Sequence, residues 1–336
     1  MSTLEVVKPG LLSSFQDLGR TGLQSLGVPV CGAMDALSHR LANLLVGNDE
    51  NQATLEITLM GPTLRFGRDS VLALAGADLS ATLQLPGADP AAPGTPLPLL
   101  QAIQVPAGAL LQFGRRRNGL RAYLALAGGF GLTPVMGSCS TYLRGSLGGW
   151  QGRALRKGDL LPLPASAPTP GAASAEAVAA QLQAVTGAAA GAPIRIIEGP
   201  EWAQFTTQAQ QDFLATPYRV GAQSDRMGYR LEGAVLPRHV KRDMLSEAVA
   251  FGTVQVPPDG QPIVLMADRQ TSGGYPRIAQ VASVDLPRLA QVMPGESLHF
   301  ERIPLERAQV LLLQRQDILM ALSSSTRRTE PACKST

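Results

Sequence analysis

The chain has 336 residues, of which 45% are hydrophobic, 16% charged and 4% aromatic, with a formal net charge of +3. That apolar fraction excludes a disordered chain, and no apolar run reaches the roughly 18 residues of a membrane span, so no membrane association is expected. Most of the net charge sits in the tail, where Arg327, Arg328 and Lys334 face only Glu330; a near-neutral body with few aromatics argues against nucleic acid as a partner.

The 35 glycines and 26 prolines predict short strands and tight turns rather than long solvated helices. Three widely spaced cysteines (Cys31, Cys139 and Cys333) without a C-x-x-C fit a reducing compartment. The N-terminus lacks the charged and apolar regions of a secretory signal. The expected location is the cytoplasm.

In chain order, the first helix is predicted over Asp35–Leu45, with Asp35 as cap and Leu37, Leu41, Leu44 and Leu45 as the apolar stripe before Gly47. Strands follow at Val71–Ala75 and Leu120–Ala127. Between them Arg115-Arg116-Arg117 reads as a solvated turn, with a phosphate-facing or partner-facing role as the alternative. Pro164 to Pro193 is a low-complexity, proline-bounded linker with a short helix over Ser174–Val185. Further strands are expected at Ile194–Ile197, Gly252–Val256 and Ile263–Ala267, and a last helix over Pro304–Met320.

The two sides of the linker read as copies. Val6-Val7 and Phe15 match Ile196-Ile197 and Phe205; Glu56-x4-Gly61 matches Glu247-x4-Gly252; the strand ending Ala77-Asp78 matches the one ending Ala267-Asp268, all at nearly constant separation. The expected fold is mainly β with a few helices, as two related β-barrel subdomains from a tandem duplication. The layout is a first subdomain at 4–163, the linker at 164–193, a second subdomain at 194–310, and a disordered tail at 322–336.

Common catalytic machinery is missing from the sequence. No G-x-x-x-x-G-K-[ST], G-x-S-x-G or H-E-x-x-H occurs, and His39, His239 and His299 are too dispersed to predict a histidine metal site. Polar residues gather instead in four glycine-rich segments. The first carries Asp35, Ser38, Arg40 and Asn43 on one flank of the predicted helix, as a binding face or as simple capping. The second, Val220–Arg230, alternates acceptors and guanidinium groups: Gln223, Asp225 and Arg226, with Asp225 expected to orient an Arg fork for a carboxylate or phosphate. The alternative is an internal ion pair pinning a turn.

The third segment follows an apolar strand that ends abruptly in Asp268-Arg269-Gln270-Thr271-Ser272-Gly273-Gly274-Tyr275. A rigid strand ending in a glycine-rich polar loop is a common place for a site. Asp268 is a candidate base or orienter and Tyr275 a candidate donor; Asp268, Asp225 and Tyr275 are the catalytic candidates and the rest are binding residues. The fourth segment, Gly137–Gly145, offers hydroxyls and amides for an anion or forms a structural turn. Cys31 and Cys139 read as buried thiols.

The segments GVPVCGAMDALSHRLANLLVGN, GSCSTYLRGSLGGWQGRALRKGDLL, RVGAQSDRMGYRLEG and SEAVAFGTVQVPPDGQPIVLMADRQTSGGYPRIAQV resemble the KipA family, that of the 5-oxoprolinase C subunits (PxpC), also called the allophanate hydrolase subunit 2 or biotin-dependent carboxyltransferase-like family. The resemblance runs over roughly residues 4–310. Position 31 is Cys where the family pattern has Ser. The resemblance implies two cyclophilin-like β-barrel subdomains and a role in ATP-dependent opening of 5-oxo-L-proline to L-glutamate. It further implies two partners, a KipI-like B-type oxoprolinase subunit and an A-type one. ATP, with or without Mg, is the implied co-substrate, and no biotin is attached to this chain. A carboxyltransferase component of a biotin-dependent carboxylase and a non-catalytic partner of a KipI-like protein are the alternatives. A lactam is a poor electrophile; phosphorylating its oxygen supplies a leaving group, and such a site needs cations and oriented polar groups.

Overall fold

The computed structural model describes residues 2–89, 92–164, 176–186, 191–239 and 244–327. The chain forms two compact units: Met1–Gly19, Asp35–Gln181 and Asp317–Thr336 make the first, Arg20–Met34 and Leu182–Gln316 the second.

The first unit holds β1 (Thr3–Lys8), β2 (Leu12–Gln16), α1 (Ala36–Leu45), β3 (Thr54–Thr58), β4 (Thr63–Phe66), β5 (Ser70–Asp78) and β6 (Thr82–Gln84). It continues with β7 (Thr95–Pro96), β8 (Ala102–Val105), β9 (Leu110–Gln112), β10 (Asn118–Leu126) and β11 (Leu160–Pro162). Two sheets result, in the orders β11-β1-β4-β9-β6-β7 and β2-β3-β10-β5-β8. β5 and β10 are the longest strands because their near-continuous apolar runs are buried on both faces, by the core on one side and α1 on the other. Leu4, Phe15, Leu55, Leu64, Leu74 and Leu124 are core members with essentially no exposure. The Arg115–Arg117 run is the expected turn: the Ser80 hydroxyl donates to the Arg115 carbonyl and Arg117 N–H to the Asp78 carbonyl.

α2 (Glu176–Thr186) occupies the predicted helical part of the linker, while Ser174, expected to cap it, lies outside the described residues. The second unit then holds β12 (Ile194–Glu198), α3 (Thr207–Ala215), β13 (Tyr218–Val220), β14 (Gly228–Glu232), β15 (Glu247–Ala248), β16 (Thr253–Gln255) and β17 (Ile263–Leu265). β18 (Ser272–Gly273), β19 (Arg277–Val281), α4 (Leu286–Ala290), β20 (Ser297–Leu298), β21 (Phe300–Arg302) and α5 (Leu305–Arg327) complete the chain. Eight strands form one sheet, β20-β13-β14-β17-β16-β19-β12-β21, and β15 pairs with β18. Phe205, Phe213, Tyr218 and Phe300 fill its core, the rings of Phe213 and Phe300 stacking 4.6 Å apart.

The mainly β, barrel-like architecture agrees with the sequence reading. The paired segments open each unit alike: β1 and β12 alternate buried and half-buried residues, and Phe15 and Phe205 behind them are both fully buried. Pairing diverges further on, since β5 lies between β10 and β8 whereas its counterpart β17 lies between β14 and β16. Two boundaries differ from the sequence layout. Arg20–Met34 joins the second unit, because Met34 packs in that core and the Gly32 carbonyl accepts from Arg226 at 2.7 Å. α5 runs to Arg327, seven residues past Met320, with Leu322 buried, so the start of the expected disordered tail is helical. Residues 328–336 lie outside the described residues. Among the described residues no helix is long and apolar enough to cross a membrane.

Candidate functional site

The polar centre of the second unit is built where β17 ends beside the start of β14. Gly228 pairs with Leu265, Met266 N–H donates to the Met227 carbonyl, and Asp268 N–H donates to the Arg226 carbonyl at 2.8 Å. This ladder continues past the strands and brings Arg226 and Asp268 side by side. Arg226 Nε and Nη2 donate to the two carboxylate oxygens of Asp268 at 2.9 Å each, and Nη2 also reaches the Gly32 carbonyl. Both residues are almost fully buried. A fork-on-fork pair of this kind is rigid and directional.

Cys31 lies against the pair. Its backbone is left-handed, φ +58°, a costly conformation for a residue with a Cβ. Gly32 continues at φ +94°. This double turn aims the Gly32 carbonyl at Arg226 and sets the Cys31 thiol beside Asp268. Burial, reinforced by the Asp268 charge, pushes the thiol up to about 12, so it is a neutral donor and no nucleophile at ordinary pH. Buried Arg20 and Arg226 oppose that rise. The segment is fixed from its other end by Gln24, whose Nε2 donates to the Val249 carbonyl at 2.9 Å and the Thr271 carbonyl at 2.8 Å.

Arg269 follows Asp268 and is buried too. Its Nε donates to the Val249 carbonyl at 3.3 Å and its Nη1 to the Ala267 carbonyl at 3.5 Å. Burial lowers its pKa. Gln270 reaches Gln255 at 3.5 Å, and Gln255 reaches the Tyr275 carbonyl at 3.4 Å. Thr271 contributes its carbonyl, taken by Gln24, while the Tyr275 side chain is 46% exposed.

Asp225 was expected to orient the Arg226 fork; the carboxylate that holds that fork through both oxygens is Asp268. The Asp225 carboxylate accepts from the N–H groups of Met227 and Gly228 and so closes its own turn, exposed to solvent together with Gln223. Short side chains of this type satisfy nearby backbone donors before they reach a distant partner.

The first polar segment lies in the first unit, and its groups serve the fold. Asp35 caps α1, accepting from Ser38 N–H at 2.9 Å and the Ser38 hydroxyl at 2.6 Å. Its own N–H donates to the Tyr123 hydroxyl, which donates to buried Glu56. Arg40 pairs with Glu50, and Asn43 donates to the Gln52 carbonyl at 2.6 Å. These contacts are the capping alternative rather than an open binding face. In the fourth segment the hydroxyls of Ser138 and Ser140 and the N–H of Cys139 all converge on buried Asp17. That segment is a structural turn with its donors already used.

Of the residues that meet here, Asp268, Arg226 and Arg269 were candidates in the sequence, while Gln24, Gln255 and the Gly32 carbonyl were not. Gln24 sits 225 residues from Val249, and a carbonyl leaves no mark on a sequence. The glycine at 32 was the available signal.

Known proteins agree with this frame. The family described as carboxyltransferase domain, subdomain A and B, matches residues 26–302. The chain is 43% identical to the 5-oxoprolinase C subunit of Escherichia coli over 315 residues, 94% of each protein, and 38% identical to the Haemophilus influenzae protein of that name over 299 residues, covering 89% of this chain and 91% of that one. The crystal structure of the Kluyveromyces lactis urea carboxylase superposes with a TM-score of 0.85 at 29% identity, covering 95% of this chain. This chain spans only 29% of that larger one. The chain therefore belongs to the carboxyltransferase subdomain A and B family, in its branch of 5-oxoprolinase C subunits (KipA).

Proposed function

We propose that the chain is the C subunit of an ATP-dependent 5-oxoprolinase, opening the lactam of 5-oxo-L-proline to L-glutamate in a cytoplasmic complex with KipI-like B-type and A-type partners. The observation that carries this reading is the 43% identity to a 5-oxoprolinase C subunit along 94% of both chains. The lower-identity likeness to a urea carboxylase, at 29%, favours a carboxyltransferase component as the second reading.

The chemistry asks the site for fixed cations and oriented polar groups around a planar amide. Arg226, locked by Asp268, and Arg269 are such cations; the carboxamides of Gln255 and Gln270, held among the described residues by long contacts, can exchange them for a lactam. Asp268 is assigned here as the group that orients Arg226, because both its oxygens are committed to that guanidinium. ATP is the co-substrate of the complex as a whole; the residues of this chain described above form no phosphate cradle of the Walker type, and none is assigned to the nucleotide.

The test is to combine the three purified proteins with ATP and 5-oxo-L-proline and to measure glutamate and ADP. Stoichiometric formation of both, lost when this chain is omitted, supports the reading. No glutamate above the omission controls sinks it, and carboxylation of a urea-type amide by a carboxylated biotin carrier in its place establishes the second reading.

A further inference from the structure

The buried cations beside Cys31 are unequally compensated. Arg226 has both oxygens of Asp268 and the Gly32 carbonyl. Arg20 is engaged in contacts of its own. Arg269 is 9% exposed, yet its two hydrogen bonds, at 3.3 and 3.5 Å, run to main-chain carbonyls at the outer edge of hydrogen-bonding distance. The first of these carbonyls, Val249, is shared with Gln24. Nη2 of Arg269 has no acceptor among the described residues. The nearby Asp268 carboxylate is committed to Arg226, and the Cys31 thiol carries no charge to offer. Arg269 as a residue is nine-tenths buried, but its Nη2 is not among the fully buried atoms, so the edge without a protein acceptor stays open to a ligand.

We infer that Arg269 is the anion anchor of this site and that its Nη2 edge receives the carboxylate of a small cyclic-amide acid. The inference rests on the reading of the chain as part of an oxoprolinase for the identity of that acid. Asp268 is committed to Arg226, so the Arg269 edge has no bonded carboxylate of the chain, and the acid group of the substrate supplies one. The planar fork of Arg also suits the two coplanar oxygens of a carboxylate. Gln24, by holding the Val249 and Thr271 carbonyls, fixes the loop that presents Arg269.

The test uses the complete three-protein complex with Arg269→Gln and Arg269→Lys. The substrates are 5-oxo-L-proline and 2-pyrrolidinone, the same ring without the carboxylate. Arg269→Gln should raise KM for 5-oxo-L-proline about 10- to 100-fold, the range expected for a hydrogen bond to a charged group. The loss in kcat/KM should be at least 10-fold larger for 5-oxo-L-proline than for 2-pyrrolidinone, because only the former has a carboxylate for Arg269 to hold, with Arg269→Lys intermediate. An unchanged KM for 5-oxo-L-proline, an equal loss for both lactams, or a loss confined to ATP overturns the inference while leaving the proposed function standing. If the wild-type complex turns over neither lactam, the proposed function fails, and calorimetric titration of the full chain with 5-oxo-L-proline decides the inference. Binding that Arg269→Gln abolishes supports it; no binding to the wild-type chain, or equal binding to both, overturns it.

Discussion

Asp268 and Arg226 bind each other through two parallel hydrogen bonds of 2.9 Å, buried at the point where β17 gives way to the site loop. The pair joins two segments 42 residues apart and, through the Gly32 carbonyl, a third segment near the N-terminus. Its place makes it both a structural tie and the wall of the candidate site.

The first prediction follows from removing one partner. Asp268→Asn removes the carboxylate that Arg226 is forked onto, a change that costs about 3–5 kcal/mol when a buried pair is broken. Urea unfolding should show that loss of stability along with loss of turnover. Arg226→Met in the Asp268→Asn background should recover part of it, because the buried guanidinium is then gone as well. Equal stability of Asp268→Asn and wild type would show that the pair is not buried as described.

Much of this organisation was legible in the sequence, for local reasons. The apolar strand running into Asp268-Arg269 and the glycine-rich segment around Arg226 announce a site because each is a contiguous pattern. The pairing across them is not contiguous. Asp225 stands next to Arg226 in sequence and was the natural partner; its carboxylate accepts from the N–H groups of Met227 and Gly228, while the Arg226 fork is held by Asp268, 42 residues away. The same limit explains Asp35, Ser38, Arg40 and Asn43. Their spacing gave one helix flank correctly, while the partners that occupy them, Glu50 and the Gln52 carbonyl, come from the loop after the helix. The move of Arg20–Met34 into the second unit had no sequence signal, because it depends on contacts across some two hundred residues.

Asp35 offers a second test, between cap and ligand. Asp35→Ala should destabilise the first unit by about 1–2 kcal/mol, as expected for loss of an N-cap. Asp35→Asn should retain most of that stability, because Asn caps nearly as well. Thermal unfolding of both variants, set beside turnover in the complex, separates the roles. Full activity of Asp35→Asn confirms a capping residue; loss of activity at unchanged stability would return Asp35 to the binding set.

His39 carries a third prediction. The ring is fully buried, with Nδ1 2.8 Å from the Thr54 hydroxyl, and burial lowers its pKa from 6.5 to about 4. Between those values the unfolded chain binds a proton that the folded chain refuses, so stability rises with pH across that window and falls on acidification. The slope is at most about 1.4 kcal/mol per pH unit from this group. Denaturant midpoints of wild type and His39→Gln, measured from pH 4 to 7, should converge toward the acid end. Parallel curves throughout would mean that His39 titrates normally.

Cys31 supplies the last, at the opposite end of the pH scale. Burial and the Asp268 charge raise its pKa from 9.0 to about 12. Above pH 9 the unfolded chain loses the thiol proton while the folded chain keeps it, so here stability falls as pH rises toward 12, again by at most about 1.4 kcal/mol per unit. Cys31→Ser removes a titrating group but keeps a donor beside Asp268; its stability should match wild type near pH 7 and exceed it progressively above pH 9. The neutral thiol also predicts chemistry. In the native chain iodoacetamide at pH 8 should leave Cys31 unmodified and react with it only after unfolding, since the thiolate is the reactive form. Alkylation mapped by peptide mass spectrometry reads this directly, and rapid native-state modification of Cys31 would require an ionised thiol beside Asp268, contrary to the buried setting of Cys31 next to the Asp268–Arg226 pair.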